Sequence, residues 1–335
     1  MEGATMVRIV PVASGKGGVG KTVLAANLAV ALARLGRVTV LVDLDLGASN
    51  LHTCLGIKSS STGLGALAWR QERSFDALVM ETPVPRLHFV PGDGLLPGTA
   101  NLDHSIKRKI LKGIASLPAD FAILDLGAGS SHNVVDFFLA SSRGLLVARP
   151  ETTSVLNAYS FLKTTVWRLL FRAFPRGGQE RARLAEFAAR RLEGSGSSFL
   201  DLADLLAREF SDSAAAALGE LRSFVPRVVL NQGRSRADVE LGSRIRAIAG
   251  RNLGIGVEYA AFLPEDASVP HSIAEREPLV LTRPEAPYSL AVADLAARMA
   301  AEGPDSPPRL ALDDEDLASL AAAALAAGAD PAEGS

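Results

Sequence analysis

Short apolar runs rich in β-branched residues alternate along this chain with longer segments of helical period. Val7–Ala13, Val38–Asp43, Leu87–Pro91, Phe121–Asp125, Gly144–Ala148, Arg227–Asn231 and Glu258–Phe262 read as strands. Their apolar character is continuous, which predicts strands covered on both faces. Between them Lys21–Leu35, Asp103–Leu117, His132–Ala140, Ala237–Gly250 and Pro287–Ala301 carry apolar positions at helical spacing. The β-α-β-α order predicts an α/β fold: a doubly wound, mostly parallel sheet with helices on both sides.

The rhythm breaks between Trp167 and Phe224, where no strand candidate occurs. Helical pieces at Thr152–Phe174, Gln179–Leu192 and Phe199–Phe210, then an alanine-rich helix, are separated by a Pro175-Arg176-Gly177-Gly178 break and a Gly/Ser linker at 194–198. This predicts one domain over 1–303 with a helical insertion at about 167–224, followed over 304–335 by a linker and an acidic, alanine-rich tail holding one short helix.

Charge and composition narrow the function. Thirty-five Lys and Arg against 37 Asp and Glu in 335 residues leave a formal charge of −2, so no global positive field exists to hold nucleic acid. One cysteine, Cys54, permits neither an internal disulfide nor a thiolate cluster, and a cytoplasmic setting is expected. The first residues show no signal-peptide pattern, and no apolar run approaches the ~20 residues of a membrane span. The five histidines show no metal-ligand spacing, so no zinc site is expected.

The first strand ends in Gly15-Lys16-Gly17-Gly18-Val19-Gly20-Lys21-Thr22, which fits G-x-x-x-x-G-K-[ST] in its strand-loop-helix setting. Glycines let backbone N–H groups turn inward around phosphate oxygens, and the following helix adds its positive end. Lys21 is placed to neutralise phosphate charge and Thr22 to ligate magnesium. Asp43 and Asp45, spaced i, i+2 at the end of the second strand, point to the side where the loop lies, although two acids can also simply cap a strand end. Ile123–Gly129 is an apolar strand closing on one acid, Asp125, and two glycines. Asn231 ends another strand with an amide able to donate to and accept from a base edge, and Pro264-Glu265-Asp266 ends the next; either could be an ordinary strand-to-helix cap.

With Lys16 directly after the first glycine, GKGGVGKT resembles the deviant Walker A motif of the MinD/ParA class of P-loop ATPases. The resemblance runs from Val7 to about Ala300, omitting the insertion and the tail. Through DLGAG, the Asp136-Phe137-Phe138 helix and RPETTSVLNAY it is most similar to MinD and to the FlhG/FleN-type flagellar number regulators. It implies a P-loop NTPase of the SIMIBI, MinD-like kind that binds ATP and Mg2+. It also implies an ATP-dependent homodimer in which Lys16 reaches the phosphates of the facing subunit, and slow, partner-stimulated hydrolysis. Asp45 would orient the attacking water, Asp43 would support the magnesium site, and Asp125 would act on the metal through water. Asn231, Pro264 and Glu265 would line the adenine pocket.

The implied role is placement or assembly of a cellular structure, a division site or a flagellum, in concert with an unidentified protein partner. The alternatives are a ParA-type partitioner holding DNA through Arg234, Arg236, Arg244, Arg246 and Arg251, which Asp238 and Glu240 dilute, and a nucleotide-gated scaffold with little turnover. DNA binding is not the expectation. Two departures stand out: Val23 replaces a frequent second threonine, and the tail is acidic where MinD and FlhG carry a basic amphipathic helix. Trp167, Phe171 and Phe174 among arginines leave core packing, a partner surface and a peripheral membrane contact open for the insertion.

Overall fold

Eight strands form one sheet in the order β3-β4-β2-β5-β1-β6-β7-β8 in the computed structural model, which describes residues 6–46, 49–58, 63–68, 74–92, 102–192, 199–303, 306–310 and 314–327. In chain order these are β1 (Arg8–Ser14), β2 (Thr39–Leu44), β3 (Met80–Glu81), β4 (Leu87–Val90), β5 (Phe121–Ala128), β6 (Leu145–Ala148), β7 (Arg227–Gly233) and β8 (Glu258–Pro264). All pairings are parallel except β3 with β4. All seven predicted strands are present. The two-residue β3 escaped prediction because so short an edge strand carries no period.

Helices cover both faces: α1 (Lys21–Arg34), α2 (Leu51–Cys54), α3 (Gly65–Ala68), α4 (His104–Ala115), α5 (His132–Phe138), α6 (Thr152–Ala173), α7 (Gln179–Leu192), α8 (Phe199–Glu209), α9 (Ser211–Ser223), α10 (Ala237–Leu253), α11 (Ser268–Glu275), α12 (Leu279–Thr282), α13 (Pro287–Ala301) and α14 (Glu315–Ala326). Alternate residues of one strand serve opposite cores. Phe121 and Ile123 join the apolar cluster under α1 and α13, while Ala122 and Leu124 join the cluster under α5, α6 and α10. Continuous apolar strands are the sequence signature of that double burial. Helix α1 is buried almost all round, from Leu24 to Ala33, because α13 covers the side that the sheet does not.

The insertion is part of the main core. Leu169, Leu170, Phe174, Leu184, Phe199, Leu206 and Leu221 belong to the same cluster as β7 and α10. Trp167 packs on Phe171, Phe187 and Phe199 at ring-centroid distances of 6.2, 6.4 and 5.9 Å, and Trp167, Phe171 and Phe187 lie partly buried against this core. The tail helix is docked as well: Leu317, Ala321 and Ala324 are buried, and Arg246 of α10 bonds Asp314 and Asp316 while stacking 4.4 Å over Tyr259. Gly47 and Ala48 beside the paired acids, the linker at 194–198 and Asp313 of the tail lie outside the described residues.

Candidate functional site

Strand order brings the chemistry together. With β5 between β1 and β2, the ends of three motif-bearing strands are neighbours, and Asp43 and Asp125 are register partners on β2 and β5. On the far side of β1 the chain order reverses toward β6, β7 and β8, so a crevice opens at the strand ends, where open α/β sheets bind ligands.

The loop after β1 is held by close backbone approach. A Cβ at Gly15 would lie 2.2 Å from the Asn157 carbonyl oxygen of α6, and one at Gly20, whose φ is +87°, would lie 2.2 Å from the Asn231 side-chain nitrogen. Only glycine fits at either position. Lys21 opens α1, and its Nζ lies 2.9 Å from Asp125 Oδ1, with the side chains 7% and 1% exposed. The Thr22 hydroxyl also hydrogen-bonds Asp125. Burial pushes the Asp125 carboxyl up, and the Lys21 ammonium opposes that.

Asp43 is fully buried. Burial first, and then the charge of Asp125, push its carboxyl up to about 7. Hydrogen bonds from the Ser49 hydroxyl (2.5 Å), the Asp45 N–H (3.1 Å) and the Leu51 N–H (3.4 Å) oppose the shift. Asp45 is half-buried and overlies the end of β5: a Cβ at Gly127 would lie 3.2 Å from its Oδ1. Three acids, Asp43, Asp45 and Asp125, and the Lys21 ammonium thus gather beside the glycine loop, groups of the kind that a divalent metal and a phosphate chain require.

Lys16 faces the other way. Its Nζ lies 3.1 Å from Glu151 Oε2 and 3.4 Å from Thr153 Oγ1, at the start of α6, and Glu151 also pairs with Arg149. Glu151 was missed as a partner for Lys16, because nothing in the local sequence links positions so far apart.

Beside the loop lies a cavity of about 360 Å3 lined by Gly20, Asn231, Gln232, Pro264, Glu265 and Tyr288. Asn231 donates to the Val19 carbonyl at 2.8 Å and accepts from the Gln232 N–H at 3.0 Å, so it braces the loop from β7. An amide has two N–H groups and two lone pairs, and one of each remains for a base edge. The Glu265 side chain is exposed and bonded to Arg234 at 2.5 and 2.9 Å, leaving its backbone and Pro264 as the cavity wall. Tyr288 lines the cavity, and its hydroxyl is buried without a hydrogen-bond partner among the described residues. Tyr288 also escaped the sequence reading, since one tyrosine in the first turn of a helix carries no signal. Glycine cradle, acids and lysine, beside a cavity edged by Asn231, together fit a nucleotide with a divalent cation.

Burial, followed by the charge of Asp125, raises the Cys54 thiol to about 11, so it is a filler and no nucleophile. No group of three or more His, Cys, Asp or Glu that could hold a metal occurs among the described residues. Within the basic patch weighed for DNA, Arg234 is bonded to Glu265 and Arg246 to Asp314 and Asp316. No described helix is long and apolar enough to cross a membrane.

The family profile described as "CobQ/CobB/MinD/ParA nucleotide binding domain" matches residues 10–279. Antiactivator FleN of Pseudomonas aeruginosa is 33% identical over 159 residues, 47% of this chain and 56% of that protein. The septum site-determining protein MinD of Synechocystis is 35% identical over 160 residues, 46% of this chain and 57% of that one. The chain therefore spans about half the length of the curated relatives it matches. Among solved structures, the septum site-determining protein MinD from Pyrococcus horikoshii, complexed with Mg-ADP, superposes with a TM-score of 0.60 at 20% identity, covering 88% of this chain and 97% of that one.

Proposed function

This chain belongs to the CobQ/CobB/MinD/ParA nucleotide-binding family, and from that premise we propose that it is a switch ATPase of the MinD/FleN kind. In this reading it binds ATP with Mg2+, pairs face to face with a second copy, and hydrolyses ATP slowly when a protein partner engages it. Its task is the placement or assembly of a cellular structure, a division site or a flagellum. A cytoplasmic location with peripheral membrane contact belongs to the same reading.

Each residue has a role. Backbone N–H groups from Gly15 to Gly20 and the start of α1 receive the phosphates, and Lys21 balances their charge. Thr22 and Asp125, the latter through water, would hold the metal, with Asp43 behind them. Mg2+, when bound, supplies charge neutralisation at the phosphate oxygens. Asp45 orients the attacking water. Asn231 and Pro264, with the backbone at Glu265, enclose the base.

The observation that carries the dimer is Lys16. A lysine inside a phosphate loop, 31% exposed and paired to a glutamate 40% exposed, is poised on the surface and held there by an ion pair too exposed to be strong. Exchange of Glu151 for a phosphate on a facing subunit costs little. Light scattering with ATP and Mg2+ tests the reading. The protein is expected to be monomeric with ADP and dimeric with ATP, and Lys16→Ala to bind nucleotide yet stay monomeric without turnover. Asp45→Ala should dimerise and persist, so that it can capture the partner. ATP-dependent dimers of Lys16→Ala would refute the assignment.

A further inference from the structure

Away from the nucleotide site, α4, the late turns of α6 and the start of α7 enclose a cleft of about 310 Å3 whose charge is one-sided. Lys107, Arg108, Arg168, Arg172, Arg176 and Arg181 all line it, and Asp136 is the one acidic group among its lining residues. Asp136 is already spent. Lys107 Nζ lies 2.5 Å from its Oδ2, and Arg168 grips both oxygens at 2.7 and 2.9 Å. Those charges hold the carboxyl below its ordinary value against the effect of burial.

Arg108, Arg172, Arg176 and Arg181 make no ion pair among the described residues. Of the neighbouring acids, Glu186 pairs with Arg183, and Glu180, which accepts from the Ser213 hydroxyl, forms no ion pair with these arginines among the described residues. The Arg181 guanidinium is instead laid on the Phe171 ring, 5.6 Å from its centroid, which fixes it at the cleft wall. Four unmatched guanidinium groups converge on one concavity in a chain of net charge −2. Like charges gathered at this density repel one another unless an anion sits among them, and a concave low-dielectric wall strengthens the field they make. Guanidinium forks match phosphate oxygens two at a time.

We infer that this cleft is a binding site for a small anion carrying two or more phosphate groups. The shape favours a small ligand over a surface. A duplex presents its charge along a line and would be met by a flat or grooved face, whereas these residues line one concavity from α4, α6, the break at 174–178 and α7. A membrane contact needs exposed apolar side chains around the charges, and none of the large exposed apolar residues, among them Leu156, Ile273 and Leu290, lies at the cleft. The inference does not rest on the nucleotide reading, because no residue of the glycine loop lines this cleft.

Calorimetry with inorganic tripolyphosphate tests it, on the full chain in saturating Mg-ADP. Binding is expected, with affinity falling about tenfold or more for Arg172→Glu combined with Arg176→Glu, both exposed positions. Lys163→Glu, an equal charge change per site on an exposed position of α6 outside the cleft, should leave it unchanged. An unshifted thermal midpoint shows that the double variant is folded. No heat with the wild-type protein overturns the inference. So does binding that ignores the arginines but disappears in Lys21→Ala, which would place the anion in the glycine loop. Sedimentation with phosphatidylglycerol vesicles or retention of random duplex DNA, without tripolyphosphate binding, also overturns it and assigns the charge to a lipid or nucleic-acid surface.

Discussion

Replacing Asp43 by Asn should stabilise the nucleotide-free protein at neutral and alkaline pH while harming its function. Asp43 is wholly buried on β2 beside Asp125, and its carboxyl is raised from 3.8 to about 7 by burial and then by that neighbour. The folded state therefore holds a proton that the unfolded state has released, so stability falls as pH rises from about 4 to about 7. The slope is ~1.4 kcal/mol per pH unit, and the full span amounts to ~4 kcal/mol. Asn removes that charge. It also turns one acceptor into a donor facing the Ser49 hydroxyl and the Leu51 N–H, which offsets ~1 kcal/mol because the hydroxyl can rotate and accept. The net gain expected at pH 8 is ~2–3 kcal/mol, shrinking to nothing or reversing near pH 4. Urea unfolding of wild type and Asp43→Asn in chelator, from pH 4.5 to 8.5, reads the difference directly. A difference that does not change with pH would refute the reasoning, since a purely steric or hydrogen-bond effect has no such slope. Magnesium nucleotide should stabilise the wild type more than the variant, because the same charge that costs stability in the empty site attracts the cation.

Two further outcomes follow from packing. Gly15→Ala would drive a methyl to 2.2 Å from the Asn157 carbonyl oxygen and 2.8 Å from the Ala158 nitrogen, both backbone atoms of α6 that cannot rotate away. A loss of more than about 2 kcal/mol and of nucleotide binding is expected, and an unchanged thermal midpoint would contradict the close approach. Arg246→Ala removes the partner of Asp314 and Asp316 and the stack on Tyr259. It should cost ~1–3 kcal/mol and render the chain near α14 sensitive to protease, whereas wild-type resistance there would show that the apolar contacts of Leu317 and Ala321 hold the helix unaided.

The sheet was legible because each strand carries its own signal: a run of apolar residues buried on both faces needs no knowledge of its neighbours. The glycine loop, Lys21, Asp43 and Asp125 were legible for a related reason. Each lies in or just beyond the C-terminal half of such a strand, and a doubly wound sheet gathers those strand ends at one edge; the observed order β2-β5-β1 then makes them neighbours. Lys21 and Asp125 are 104 positions apart and meet as a consequence of that order. Tyr288 and Glu151 were not legible, because their positions depend on how α13 and α6 pack, and packing is specified by side-chain fit across elements that share no local pattern.

The same distinction explains the insertion and the tail. Composition alone left Trp167, Phe171 and the arginines between core, partner and membrane, since an amphipathic helix looks alike whichever apolar surface receives it. The packing partners come from elsewhere: Phe187 and Phe199 arrive from α7 and α8 against Trp167, and with these aromatics wholly or partly buried the arginines are left as a charged rim. Helix α6 gains two unlike ends from this. Glu151 and Thr153 at its start receive Lys16 of the loop, and Arg168, four turns on, clamps Asp136 of α5 at the edge of the basic cleft. A single helix of 22 residues, ~33 Å long, thus touches the glycine loop at one end and the unmatched arginines at the other. Neither end could be assigned from the helix's own sequence, because the meaning of each lies in a residue contributed by another element.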